Sequence, residues 1–126
     1  MKVLLDTNAL MMPFQFRVDL FEELRSLVGV FEPVVLCEVL VELQKLARGH
    51  GRDAAAARSA LTLGERCMRS GGDEDGRTVD KKIIDYAVKE GCIVVTNDRA
   101  LRNSLLVNHI TVISLRNRNR LTILRG

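Results

Sequence analysis

The chain has 126 residues and a mass of 14.1 kDa, the size of one compact domain spanning residues 1–126. Hydrophobic residues make up 47% and charged residues 28%, which argues against global disorder. The apolar runs are too short to span a bilayer and Asp6 interrupts any signal-peptide core, so no membrane partner is expected.

Residues 2–5 are a short apolar run that reads as a buried strand ending at Asp6. Asp6-Thr7-Asn8 signals a turn or a helix entry. Residues 19–27 have helical spacing, with Leu20, Leu24 and Leu27 on one stripe. Pro33 precedes a second strand at 34–36. A helix follows from about residue 38 to 48, ended by Gly49-His50-Gly51. Asp53 is placed to cap an Ala-rich helix running towards Met68. Residues 70–76 are acidic and glycine-rich, the composition of a mobile loop, and they lead towards Asp80. Its acids Asp73, Glu74 and Asp75 are suited to repelling non-specific polyanions. Thr78 can cap a helix that ends near Gly91. Residues 92–95 are a β-branched strand, and Thr96-Asn97-Asp98 opens a short helix. Strands at 111–115 and 121–124 flank a polar turn that carries Arg116, Arg118 and Arg120. Strands alternating with helices indicate an α/β fold with a mostly parallel sheet, and such sheets bind ligands beyond the carboxyl ends of their strands.

Several chemistries lack their parts. Cys37, Cys67 and Cys92 are odd in number and show no CxxC spacing, so they read as reduced thiols of a cytoplasmic protein. His50 and His109 are isolated, which leaves neither a zinc site nor a Ser–His–Asp triad. One Tyr, four Phe and no Trp give no stacking platform for bases. Met11, Met12, Phe14 and Phe16 read as core, with a contact between two copies of the chain as the alternative.

Charge is unevenly spread. Residues 1–98 hold 13 of the 19 basic side chains and all 16 acids, whereas residues 99–126 hold six Arg and no acid. A basic end on an acidic body suggests a polyanionic partner, although scattered Arg also serve solubility.

Asp6 and Asp98 each follow a strand directly, which puts both at the carboxyl edge of the sheet, as site residues or as helix caps. Asp80 has Ile83, Ile84, Ala87 and Val88 at i+3, i+4, i+7 and i+8, which places it at the top of a buried stripe. Asp85 lies on the opposite, solvated face. Glu42 interrupts the line of Val39 and Leu46, and Glu38, one turn earlier, could also face inward. Either could instead make a surface pair with Lys45 or Arg48.

If Asp6, Glu42, Asp80 and Asp98 converge at about 6 Å, each pair repels by roughly 3 kcal/mol at an effective dielectric of about 20. Binding Mg²⁺ or Mn²⁺ relieves this, because these hard cations take oxygen ligands. A metal held by carboxylates can activate water and stabilise a phosphodiester transition state. Without those four acids the chain balances at +7, which suits an acidic pocket on a scaffold that binds a nucleic-acid backbone.

In order and spacing, Leu5-Asp6-Thr7-Asn8, Glu42 within Val41-Glu42-Leu43-Gln44-Lys45-Leu46, Asp80 eleven residues before Gly91, and Val95-Thr96-Asn97-Asp98 resemble the PIN-domain nucleases. The set of four carries the resemblance, and it covers nearly the whole chain. It implies a three-layer α/β/α sandwich and an endoribonuclease that uses Mg²⁺ or Mn²⁺. Asp6, Glu42, Asp80 and Asp98 would take the acidic positions and hold the metal, with Glu42 as a ligand or as the group that orients the attacking water. Thr7, Asn8, Thr96 and Asn97 would be supporting polar groups. Arg99, Arg102, Arg116, Arg118 and Arg120 would hold the RNA backbone. Residues 41–46 and 113–117 look more like the PIN nuclease of small-subunit ribosomal RNA processing than like the toxins of toxin–antitoxin pairs. A ribosome-assembly factor or an antitoxin is the protein partner so implied. Many members carry a further acid two residues beyond the last one, and here that position is Ala100. Two other classes fit part of the pattern. One is a non-catalytic RNA-binding or assembly module with vestigial acids. The other is a phosphohydrolase of small phosphoesters, although position 8 is Asn where that chemistry favours a second Asp.

Overall fold

Val3, Leu4 and Leu5 are fully buried, and the strand they form, β1 (Lys2–Leu5), lies inside a six-stranded sheet in the computed structural model, which describes residues 1–125. After β1 come α1 (Thr7–Gln15), α2 (Leu20–Val28), β2 (Glu32–Leu36), α3 (Cys37–Ala47), α4 (Arg52–Gly64) and β3 (Met68–Ser70). The chain continues through α5 (Val79–Glu90), β4 (Ile93–Val95), α6 (Arg99–Val107), β5 (Val112–Arg116) and β6 (Arg120–Leu124). The strand order is β3-β2-β1-β4-β5-β6, parallel except for the β5–β6 hairpin.

The chain winds outward from β1 to β3, then crosses back to β4 and winds the other way. Right-handed crossovers therefore put α1–α4 on one face of the sheet and α5 and α6 on the other. The reversal falls between β1 and β4, and at such a switch point the two connections diverge and leave a crevice beyond the carboxyl ends of the strands. The core is aliphatic: Leu4, Leu5, Leu10, Met12, Leu24, Leu43, Ile83, Leu105 and Ile113 are among its fully enclosed side chains.

The helix α4 can lie close to α1 and α3 because the side it turns inward is small. Ala54, Ala57, Ala60 and Gly64 are buried along it, and a Cβ at Gly64 would stand 3.0 Å from Leu40 Cδ2.

The elements expected from sequence are present, and the structure adds two. Residues 7–15 form a complete helix, although Pro13 lies inside it and Ala9, Leu10, Met11 and Met12 are all buried. Residues 68–70 are a three-residue edge strand beside β2. The Ala-rich helix consequently stops at Gly64, and Gly51 holds its N-cap position with Asp53 in the first turn. Along α5 only Ile83 and Ala87 are buried, while Val88 is exposed, so the apolar stripe is narrower than its spacing suggested. Met11 and Met12 are core, Phe16 is half-buried and Phe14 is exposed. Cys67 and Cys92 are buried free thiols and Cys37 is half-buried and free. Among the described residues no helix is long and apolar enough to cross a membrane.

Close helix approach makes a stability prediction. Ala60→Leu should overpack the buried side of α4 and cost about 1–3 kcal/mol, whereas Ala55→Leu, on its exposed side, should stay within about 0.5 kcal/mol. Urea unfolding of both variants checks this, and equal effects would contradict the packing described.

Candidate active site

Asp6 follows the last residue of β1 and has extended backbone angles as the N-cap of α1. Its Oδ1 accepts a hydrogen bond from the Ala9 amide at 2.7 Å. Its own amide donates to the Val95 carbonyl, which ties the ends of β1 and β4 together. The residue is only 5% exposed. Burial is the main reason its carboxyl is pushed up to about 6. The Thr96 hydroxyl and the Ala9 amide pull it down, while the charges of Asp98 and Asp80 push it further up.

The end of β4 is built the same way. Asp98 caps α6, with its Oδ1 accepting from the Leu101 amide at 2.9 Å. Thr96 is fully buried, and its hydroxyl accepts from the Asp98 amide at 3.1 Å. Asn97 Oδ1 accepts from the Leu115 amide at 2.8 Å, so this side chain splices the β4 turn onto β5. The buried Ser114 hydroxyl donates to the Thr96 carbonyl at 2.7 Å. Ser114 was not singled out from sequence, because a serine in a strand carries no signal until its partner is known. Capping engages one oxygen, Oδ1, of each of the Asp6 and Asp98 carboxylates.

Asp80 stands in the first turn of α5 and is exposed at the rim, not enclosed by the stripe below it. Partial burial of its carboxyl, and then the Asp98 charge, raise its pKa. Thus the charges of Asp80 and Asp98 both act on Asp6, and that of Asp98 acts on Asp80. Glu42 is exposed on α3 and joins through Thr7, whose hydroxyl donates to Glu42 Oε1 at 3.4 Å. Asn8 is exposed beside Thr7. The sequence favours Glu42 over Glu38, and the structure gives them different partners: Glu38 pairs with Lys82 at 3.0 Å. Asp85 is half-buried and bridges Arg77 and Lys81.

Among the described residues no three carboxylate, histidine or cysteine groups stand close enough to cage an ion by themselves. In chemistry the donors suit a hard divalent cation, being all oxygen, with Asp6 buried and Glu42, Asp80 and Asp98 exposed around it. Mg²⁺ usually keeps several waters and takes only one or two carboxylates directly. Asp6, Asp80 and Asp98 would hold it, with Glu42 alongside.

Register puts the basic hairpin at the same edge. Val95, the last residue of β4, pairs with Ile113, so β5 runs on to Arg116 beyond that end of the ladder, and Arg116 pairs with Arg120 across the antiparallel ladder. Like charges directly opposite are unfavourable in a ladder. The tip is tight as well: Asn117 and Arg118 both have positive φ, 56° and 66°. Arg116, Arg118 and Arg120 are exposed and make no ion pair among the described residues. Arg99 is exposed immediately after Asp98, and Arg102 is half-buried one turn on.

Residues 3–118 match a protein family described as a PIN like domain. Ribonuclease VapC9 of Archaeoglobus fulgidus is 35% identical over 98 residues, covering 77% of this chain and 70% of that protein. Ribonuclease VapC4 of Methanocaldococcus jannaschii is 31% identical over 120 residues, covering 91% and 90%. The solved structure of the PIN domain endonuclease Utp24 superposes with a TM-score of 0.80 at 28% identity, over 99% of this chain and 92% of that one.

A buried acid with a raised pKa sets the sign of a pH dependence. Between about pH 4 and pH 6 the folded chain holds a proton at Asp6 that the unfolded chain has lost, so stability falls as pH rises. Above that window the loss levels off at about 3 kcal/mol. Asn can keep the cap without the charge, so Asp6→Asn should be more stable than wild type at pH 8 in EDTA, with the two converging near pH 4. Parallel curves in urea unfolding from pH 4 to 8 would contradict the burial assigned to Asp6.

Proposed function

We propose that this chain, which belongs to the PIN-like domain family, is an endoribonuclease dependent on Mg²⁺ or Mn²⁺. The observation that supports this reading most is the family match over residues 3–118, and with it go Asp6 and Asp98 at the ends of the adjacent strands β1 and β4, Asp80 near enough for its charge to act on Asp6, and an exposed basic hairpin. The names of the curated relatives, both ribonucleases, support RNA as the substrate. Asp6 and Asp98 offer carboxylate oxygens, and Asp80 closes the third side from the rim. A divalent cation, when bound, polarises the phosphoryl oxygens and lowers the pKa of water. Glu42, steadied by the Thr7 hydroxyl, accepts a hydrogen bond from the attacking water and aims it in line with the leaving oxygen. Thr96 and Asn97 hold the β4 turn that presents Asp98. Arg99, Arg102, Arg116, Arg118 and Arg120 hold RNA phosphates, for which guanidinium forks are suited.

Ribosomal RNA processing is the setting we favour, on the likeness of residues 41–46 and 113–117 and the full-length match to Utp24. The alternative is the toxin of a toxin–antitoxin pair. Crosslinking to RNA in cells separates them: precursor ribosomal RNA supports the first, and a toxin's target RNA together with a tightly bound small partner supports the second.

Two outcomes test the reading. Asp98→Asn should keep the fold, since Asn also caps helices, and abolish Mn²⁺-dependent RNA cleavage, whereas Glu65→Gln, exposed beyond α4, should cleave like wild type. Equal activity in the two variants would contradict the assignment. Replacing Arg116, Arg118 and Arg120 with Ala should flatten the log–log salt dependence of RNA affinity by up to about 2 units, at about 0.7 per phosphate. Affinity should fall alike for every sequence, because phosphate contacts position without reading bases. Identical slopes would move the hairpin to a protein partner.

A further inference from the structure

Glu38 and Lys82 form the least exposed ion pair among the described residues, with side chains 15% and 12% exposed. Their positions give the pair its interest. Glu38 lies one helical turn before Glu42 in the first turn of α3, and Lys82 lies two residues after Asp80 in the first turn of α5. The two helices belong to opposite layers of the sandwich, so the pair reaches over the carboxyl edge of the sheet and ties the layers together there.

The junction is built on three elements. Glu38 Oε2 accepts from Lys82 Nζ at 3.0 Å and from the Gly72 amide at 2.9 Å. Lys82 Nζ also donates to the Asp73 carbonyl. Glu38 Oε1 is buried and has no hydrogen-bond partner. Gly71 has φ +83°, and a Cβ there would collide with that oxygen. A buried, half-satisfied carboxylate is costly. A helix needing only a cap would be served by an exposed Ser or Asp. What this pair adds is a rigid span between the turn that carries Asp80 and the helix that carries Glu42.

We propose that Glu38 and Lys82 are positioning residues that set the gap between Asp80 and Glu42, with Gly71 as the residue whose missing side chain lets the clasp close. This deepens the nuclease reading and rests on it. Neither residue touches the metal or the RNA. Both act through the helices that carry the ligands, and outer-shell supports of this kind typically govern metal affinity by about 10–100-fold. The clasp also tethers residues 71–73, so the glycine-rich loop is held to α3 and α5 at its start. Arg77 secures its far end by bridging Asp75 and Asp85.

The test uses the full chain as wild type and as Lys82→Met, Lys82→Arg, Glu38→Gln and Gly71→Ala. Mn²⁺ binding is measured without RNA, by the electron paramagnetic resonance signal of the free ion. RNA cleavage is measured alongside, and circular dichroism confirms folding. Glu38→Gln keeps an acceptor for Gly72 and removes only the charge, so it decides the matter if Lys82→Met or Gly71→Ala fails to fold. Folded Lys82→Met, Glu38→Gln and Gly71→Ala should bind Mn²⁺ at least roughly tenfold more weakly, with kcat lowered and KM for RNA little changed. Lys82→Arg should restore near wild-type binding. Unchanged Mn²⁺ affinity in folded Glu38→Gln overturns the clasp alone. A wild type that binds Mn²⁺ but leaves RNA intact overturns the nuclease reading, and the titration still decides the clasp. A wild type that binds no Mn²⁺ overturns both.

Discussion

One carboxylate, Asp6, is placed where the fold can least easily accommodate a charge and most needs one. It ends the strand beside the switch point, 5% exposed, where burial above all, and then the neighbouring acids, push its pKa up to about 6. It stays because it also starts α1, through the 2.7 Å bond from the Ala9 amide. Removing the side chain altogether would leave an uncapped helix in the core layer. Keeping it leaves an anion that favours a cation nearby. The rest of the edge follows from that tension: Asp98 repeats the same device on β4, Thr96 is buried between the two as a hydroxyl that can serve both, and Asp80 completes the crevice from the far layer.

Helix capping and metal binding are therefore the same geometry seen from two sides. An Asp at an N-cap turns one oxygen to the helix amides and the other away from them. Opposing charge is kept close but apart. Arg116 and Arg120 face each other across the hairpin and make no ion pair among the described residues, and β5 carries Arg116 past the paired end of β4. A phosphodiester laid between hairpin and crevice would satisfy both, which neither region can do for the other without collapsing the site.

The sequence made legible what depends on local pattern. Strands β1, β2, β4, β5 and β6 are apolar runs bounded by turn residues, and α2, α3, α5 and α6 carry caps or apolar periodicity. Of the helix α1 only the start was legible, at Asp6-Thr7-Asn8, because burial of Ala9 through Met12 erases the polar side that would reveal its period, and Pro13 argues against a helix. Nor was β3, since three residues reading Met-Arg-Ser have no pattern of their own and form a strand only by pairing with β2. At the site, Asp6 and Asp98 were legible by position after a strand. The difference between Glu38 and Glu42 was not, because both lie on one side of α3 and only the far partners, Lys82 and Thr7, separate them. Ser114 and the Asn97–Leu115 splice depend on contacts across 18 residues and left no trace in composition.

If Asp6, Asp80 and Asp98 share one hard cation, anomalous diffraction from crystals soaked in Mn²⁺ should show a single strong peak between the ends of β1 and β4, coordinated by these aspartates directly or through water. A peak at the acidic loop of Asp73, Glu74 and Asp75 instead, or no peak in the crevice at saturating Mn²⁺, would contradict that shared site.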